Sequence, residues 1–145
     1  MSPGAVAQEW HRHTAEPSAG AFNVNLLIVD DDTDIRESLA GLFSAEGFDV
    51  ATAVNGQDAL THLRSHALPC AVILDLLMPV LDGAQTYRQM QNDINLKDLP
   101  VFIFSSDDHS PPTGATTFKK PADIDRLVRA VRRACGVALN MNGSR

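Results

Sequence analysis

The sequence predicts an α/β domain, doubly wound about a five-stranded parallel sheet. Three observations predict it. Short runs are apolar at every position, as in strands covered on both faces. Between them, apolar residues recur at three- and four-residue spacing, one stripe of a helix. The two patterns alternate about every 20 to 25 residues along the 145-residue chain, the rhythm of strand–helix–strand units with right-handed crossovers.

Leu26 to Val29 is the first strand, and it runs into Asp30, Asp31 and Asp32. Ile35, Leu39, Leu42 and Phe43 then form a helical stripe, capped by Thr33 or Asp32 and ended by Gly47. Phe48 to Ala53 is the second strand. Asn55 with Asp58 resembles a capping box and opens a helix carrying Ala59, Leu60, Leu63 and Ala67, which Pro69 ends. Ala71 to Leu74 is the third strand and again ends in an acid, Asp75. A loop with Pro79 and Gly83 leads to a third helix marked by Ala84, Tyr87, Met90 and Ile94. Val101 to Phe104 is the fourth strand and ends in Ser105 and Ser106. Thr116 to Lys119 is a short fifth strand, before Lys120 and Pro121. The last helix buries Ile124, Leu127, Val128 and Val131, with Arg126, Arg129, Arg132 and Arg133 on its other faces.

Residues 1–23 carry no helical or strand period and read as a flexible arm; residues 24–137 form the domain, and 138–145 a flexible tail. His11, His13 and Trp10 fall in the arm and carry no site by themselves. The chain holds 12 basic and 18 acidic residues, a net charge of −6. That balance argues against binding a nucleic-acid backbone, whose affinity rests on Lys and Arg. No apolar stretch reaches membrane-spanning length, and the first residues lack the apolar core of a secretory signal. Cytoplasmic is the expected location. Two cysteines make no disulfide framework, and Cys70 and Cys135, both in apolar contexts, are expected as buried thiols.

In doubly wound sheets, sites form beyond the carboxyl ends of the strands. The polar residues lie there: Asp30 and Asp31, Asp75, Ser105 and Lys120. Three carboxylates about 5 Å apart repel by roughly 3 kcal/mol per pair at an effective dielectric of 20, so they call for a cation. Oxygen ligands with open positions suit Mg²⁺ or Mn²⁺. An aspartate can be the nucleophile of phosphoryl transfer. The charge on the phosphoryl oxygens is then shared by a metal and an ammonium. Lys120 supplies the ammonium, and Ser105 a short hydroxyl. Two other motifs that DDDTD mimics fail. A calcium loop would need Gly and Glu where Ile35 and Gly41 stand, and a dehalogenase-type phosphatase motif would place Thr33 one residue later.

LLIVDDDTDIRESL, ILDLLMPVLDG, PVFIFSS and KKP resemble the four signature stretches of receiver domains of bacterial two-component response regulators. The resemblance covers about residues 25 to 136. It implies a flavodoxin-like sheet of strand order 2-1-3-4-5. It implies Asp75 as phosphoacceptor, with Ser105 as switch hydroxyl and Lys120 as phosphate-binding lysine. Mg²⁺ or Mn²⁺ would be held by Asp30, Asp31, Asp75 and the backbone carbonyl of Leu77. The Lys120–Pro121 bond is expected cis, and Asp82 and Gly83 are expected to be structural. Asp32 and Asp34 are expected as cap and surface charge. The implied function is a stand-alone signalling receiver in a phosphorelay, catalysing only its own phosphorylation and dephosphorylation. A histidine kinase or histidine phosphotransfer protein would be its donor, and its output a contact with a downstream protein. The alternative is a pseudo-receiver that keeps the fold without the chemistry.

Two features depart from that family. Ser106 to Ala115 leaves about ten residues for the fourth crossover, with Pro111 and Pro112 inside it, so the family's fourth helix is expected degenerate or absent. That loop is expected to order or move on activation. Its lack of a helix is expected to leave apolar surface near Phe102, Phe104 and Phe118. The aromatic switch position holds Thr117, while Phe118 comes one residue later and is expected either to face away from Ser105 or to be re-aimed by a bulge.

Overall fold

A computed structural model describes residues 13–14, 24–106, 112 and 114–136. The strands are β1 (His13–Thr14), β2 (Val24–Val29), β3 (Phe48–Ala53), β4 (Ala71–Leu74), β5 (Val101–Ser105) and β6 (Thr116–Lys119). The helices are α1 (Thr33–Ala45), α2 (Gly56–Ser65), α3 (Gly83–Gln91) and α4 (Ile124–Cys135). The sheet runs β1-β3-β2-β4-β5-β6. Its five long strands are parallel, in the order 2-1-3-4-5 when counted by themselves. β1 adds an antiparallel edge, with His13 opposite Val50 and Thr14 opposite Asp49. The sequence has no periodic signal there, because a two-residue strand is held by its partner's backbone and not by its own pattern.

Strand alternation sorts the core into two layers. Leu27, Val29, Ala51, Ala53, Val72, Leu74, Val101 and Ile103 meet Leu60, Leu63, Tyr87 and Met90 of α2 and α3. Leu26, Ile28, Val50, Ile73, Phe104 and Phe118 meet Leu39, Phe43, Leu127 and Val131 of α1 and α4. Both faces of the central strands are thus covered, which is why β4 and the cores of β2 and β5 read as unbroken apolar runs.

Local signals set the helix ends. Asp32 accepts the Ile35 N–H at 3.1 Å and caps α1. Gly47, just beyond its end, takes φ +102°, open to glycine without steric cost. Asn55 accepts the Asp58 N–H at 2.8 Å, but Asp58 returns its carboxylate to Val54 N–H at 3.0 Å, not to Asn55. A full capping box joins Asp82 and Gln85. The stripe of α2 stops at Ser65, short of Ala67, and α3 stops at Gln91, leaving Ile94 exposed.

Two expectations change. Cys70 and Cys135 are not thiols but a disulfide, with Cα atoms 5.3 Å apart. α4 runs back across the sheet and brings Cys135 to the start of β4, where both cysteines pack against the same apolar layer. Phe104 and Phe118 are buried, each 4% exposed. They face α1 and α4, so their burial does not depend on the opposite face. No bulge re-aims Phe118: it pairs with Phe104 while Ser105 pairs with Lys119, so Phe118 faces away from Ser105. Among the described residues no helix lies between β5 and β6. The expected behaviour of that crossover concerns 107–111 and 113, outside the described residues. So do most of the arm and the tail.

Candidate functional site

The site sits where β2, β4, β5 and β6 end together. Asp30 follows β2, and its N–H bonds the Ala53 carbonyl at 3.2 Å; Asp75 follows β4, and its N–H bonds the Val29 carbonyl at 3.0 Å. These ladder bonds fix both acids by backbone, side by side. Ser105 closes β5, and the Lys120 N–H donates to its carbonyl at 3.0 Å. The Lys120–Pro121 bond is cis, as expected.

Asp30, Asp31 and Asp75 bring carboxylate oxygens within 4.8 Å of one another. Asp30 and Asp75 are buried and Asp31 is exposed. Asp30 is braced by the Asp32 N–H, which donates to Oδ1 at 2.9 Å. The Lys120 ammonium donates to Asp30 Oδ2 at 2.6 Å and lies 3.5 Å from Asp75 Oδ1. Asp75 Oδ1 also accepts the Leu76 N–H at 2.9 Å, and the Ser105 hydroxyl hydrogen-bonds the same carboxyl group. Burial pushes the Asp75 carboxyl above the usual value, and the Asp30 charge adds to this. Lys120, Ser105 and the Leu76 amide act the other way without cancelling it. Asp75 is therefore a carboxylate held at electrostatic cost, which a cation would relieve.

The donor set fits a small hard cation. It offers carboxylate oxygens from three residues, two of them buried, on a face that Asp31 keeps open to water. Leu77 lies two residues past Asp75, its side chain 61% exposed. Asp32 and Asp34 are exposed, and Asp32 serves as the cap expected of it. Thr117 is exposed, and Lys119 lies one residue off the site, with its N–H bonded to Asp123 Oδ2 at 2.9 Å.

Glycine makes the approach of α3 possible. A Cβ on Gly83 would sit 2.2 Å from the Asp75 carbonyl oxygen and 2.7 Å from Leu76 Cα. One residue escaped the sequence reading. Arg36 is buried, and its Nη1 donates to the Asp30 carbonyl at 2.9 Å. The signal was an arginine on the turn of α1 that follows the acids, on the helix's inner side, where a charge needs a partner.

The profile of the response regulator receiver domain family matches residues 26–132. The chain is 34% identical over 117 residues to the response regulator Rre1 of Synechocystis, covering 75% of this chain and 50% of that one. It is 40% identical over 85 residues to the response regulator MprA of Mycolicibacterium vanbaalenii, covering 59% of this chain and 36% of that one. It thus spans half or less of the length of these two relatives. Among solved structures, the response regulator TrrA of Thermotoga maritima, in complex with Mg²⁺-BeF, superposes with a TM-score of 0.69 at 28% identity, covering 77% of this chain and 98% of that one. The signal receiver domain of a histidine kinase from Syntrophus aciditrophicus gives 0.69 at 25% identity, covering 84% and 96%. With the parallel sheet, the acids at its strand ends and a profile match over most of its length, the chain belongs to the response regulator receiver domain family.

Proposed function

We propose that Asp75 accepts a phosphoryl group from a histidine kinase or a histidine phosphotransfer protein. The carrying observation is the lysine that bonds Asp30 and reaches Asp75 within an acidic triad. The Leu76 amide holds Asp75 Oδ1 and so fixes the orientation of the carboxylate. An Asp75 carboxylate oxygen attacks phosphorus. The P–N bond of the donor phosphohistidine breaks, and the imidazole leaves. Lys120 swings its ammonium from Asp30 to the incoming phosphoryl oxygens, and Ser105 donates its hydroxyl to another of them. Asp30, Asp31 and Asp75, with the Leu77 carbonyl, would hold Mg²⁺ or Mn²⁺, and the ion would neutralise charge on the phosphoryl oxygens. The chain turns over no other substrate, and its output is contact with another protein.

The relay from the hydroxyl to an aromatic differs here from the one the family uses. Thr117 stands at the aromatic position, and Phe118 faces the other layer.

Beryllofluoride, the ligand carried with Mg²⁺ by the Thermotoga relative, tests the reading by nuclear magnetic resonance. With Mg²⁺ present, it should shift the amides of Asp75, Leu76, Ser105 and Lys120. A spectrum unchanged at those strand ends would leave the chain a pseudo-receiver.

A further inference from the structure

We propose that Cys70 and Cys135 are a reversible thiol–disulfide modification site. It exchanges with a glutathione-type couple and sets how firmly the last turn of α4 is held.

The two residues are 65 apart in sequence, and their Cα atoms are 5.3 Å apart. That separation is within the range disulfides span, and bonded or reduced side chains both fit it without backbone movement. Neither residue is fully buried, so a small thiol can reach the bond, which exchange requires.

The fold does not need the bond as a brace. α4 is anchored along its length by Leu127 and Val131, both fully buried. Disulfides as braces belong to small domains with too little core, in oxidising compartments. A receiver fed by a histidine kinase works where glutathione keeps thiols reduced, and there a cysteine pair is a sensor. That step rests on the function proposed above.

The exchange balances. A glutathione thiolate attacks one sulfur and releases the other as thiolate. A second glutathione thiolate attacks the mixed disulfide and leaves as glutathione disulfide. Two electrons pass from two glutathione thiols to the cysteine pair, and glutathione disulfide returns them in the reverse sequence.

The consequence is local. Beyond Val131, the last turn keeps the disulfide, the Arg132–Glu46 ion pair at 2.9 Å and the left-handed Gly136. Opening the bond leaves a partly exposed ion pair, a weak restraint. Arg133 and Ala134 of that turn form one wall of a groove of about 450 Å³, opposite Phe102 and Phe118. Reduction loosens that wall.

The full chain, equilibrated in glutathione buffers from oxidising to cytosol-like, should be alkylated and digested, and its amide exchange followed. The expected result is one bond in oxidising buffer and two thiols in reducing buffer, reversibly. On reduction, exchange at residues 132–136 should rise about tenfold or more, with 71–74 unchanged. Cys70→Ser with Cys135→Ser should exchange like the reduced chain; reduced wild type supplies the same reading if that variant does not fold. A bond still closed in cytosol-like buffer, a bond that glutathione disulfide never forms, or reversible exchange with no loosening would each overturn the proposal. Asp75→Asn should leave the couple intact, so failure of the phosphoryl reading is separately visible.

Discussion

Lys120 Nζ lies 2.6 Å from Asp30 Oδ2 and 3.5 Å from Asp75 Oδ1. The ammonium is thus closer to the neighbouring acid than to the proposed acceptor. In the reaction proposed above, phosphoryl oxygens would compete with Asp30 for the lysine.

Lys120→Ala should leave Asp30 as a buried charge without its partner. The expected cost is about 3 kcal/mol in chelator, with much of it recovered in Mg²⁺. Phosphorylation-dependent spectral change should vanish. Lys119→Ala, with an exposed side chain off the site, should stay within about 0.5 kcal/mol of wild type and keep the response. Urea unfolding and beryllofluoride titration of both variants check this; equal losses in the two would refute the division of labour.

Asp75→Asn should abolish phosphoryl acceptance and stabilise the metal-free chain by about 1 kcal/mol at neutral pH. Burial and Asp30 raise the Asp75 carboxyl above its ordinary value of 3.8. The folded state then binds the proton more tightly than the unfolded state. Its contribution to stability is full below the unfolded value and lost as pH rises through the folded one. The variant's advantage should therefore appear above that window and fade as pH falls towards 3.8. Thermal melts in chelator across pH 3 to 7 measure it; an advantage that grows on acidification contradicts the assignment.

Gly83→Ala should cost about 3 kcal/mol. Its Cβ would press on the backbone of Asp75 and Leu76, which cannot yield as a flexible side chain would. Mg²⁺ affinity should fall with stability, since the same backbone carries Asp75. Calorimetric melts with Mg²⁺ titration test it; a variant as stable as wild type would mean that α3 can back away.

Val80→Gly should stabilise the chain by about 1 kcal/mol. Val80 holds φ +71° in a γ-turn closed by the Leu81 N–H on the Pro79 carbonyl at 2.7 Å. A β-branched residue is strained there and glycine is not. The strain relieved, about 1–3 kcal/mol, exceeds the entropy glycine adds to the unfolded chain. Chemical denaturation decides the sign.

The sequence by itself determined what short-range physics controls. Unbroken apolar runs set β4 and the cores of β2 and β5, because a strand covered on both faces shows no alternation. Asp32, Asn55 and Asp82 set helix starts through bonds spanning three residues. Asp30, Asp75, Ser105 and Lys120 were legible as a site because a parallel sheet delivers every strand end to one edge. Only the tertiary structure decided relations across long stretches of chain. It bonded Cys70 to Cys135, set Lys120 between Asp30 and Asp75 with the shorter contact to Asp30, turned Phe118 away from Ser105, and laid Arg36 against the Asp30 carbonyl. The reason is that each of these depends on strand register or on where a helix ends on the sheet. Such positions are fixed by packing many residues at once, and no local period encodes them.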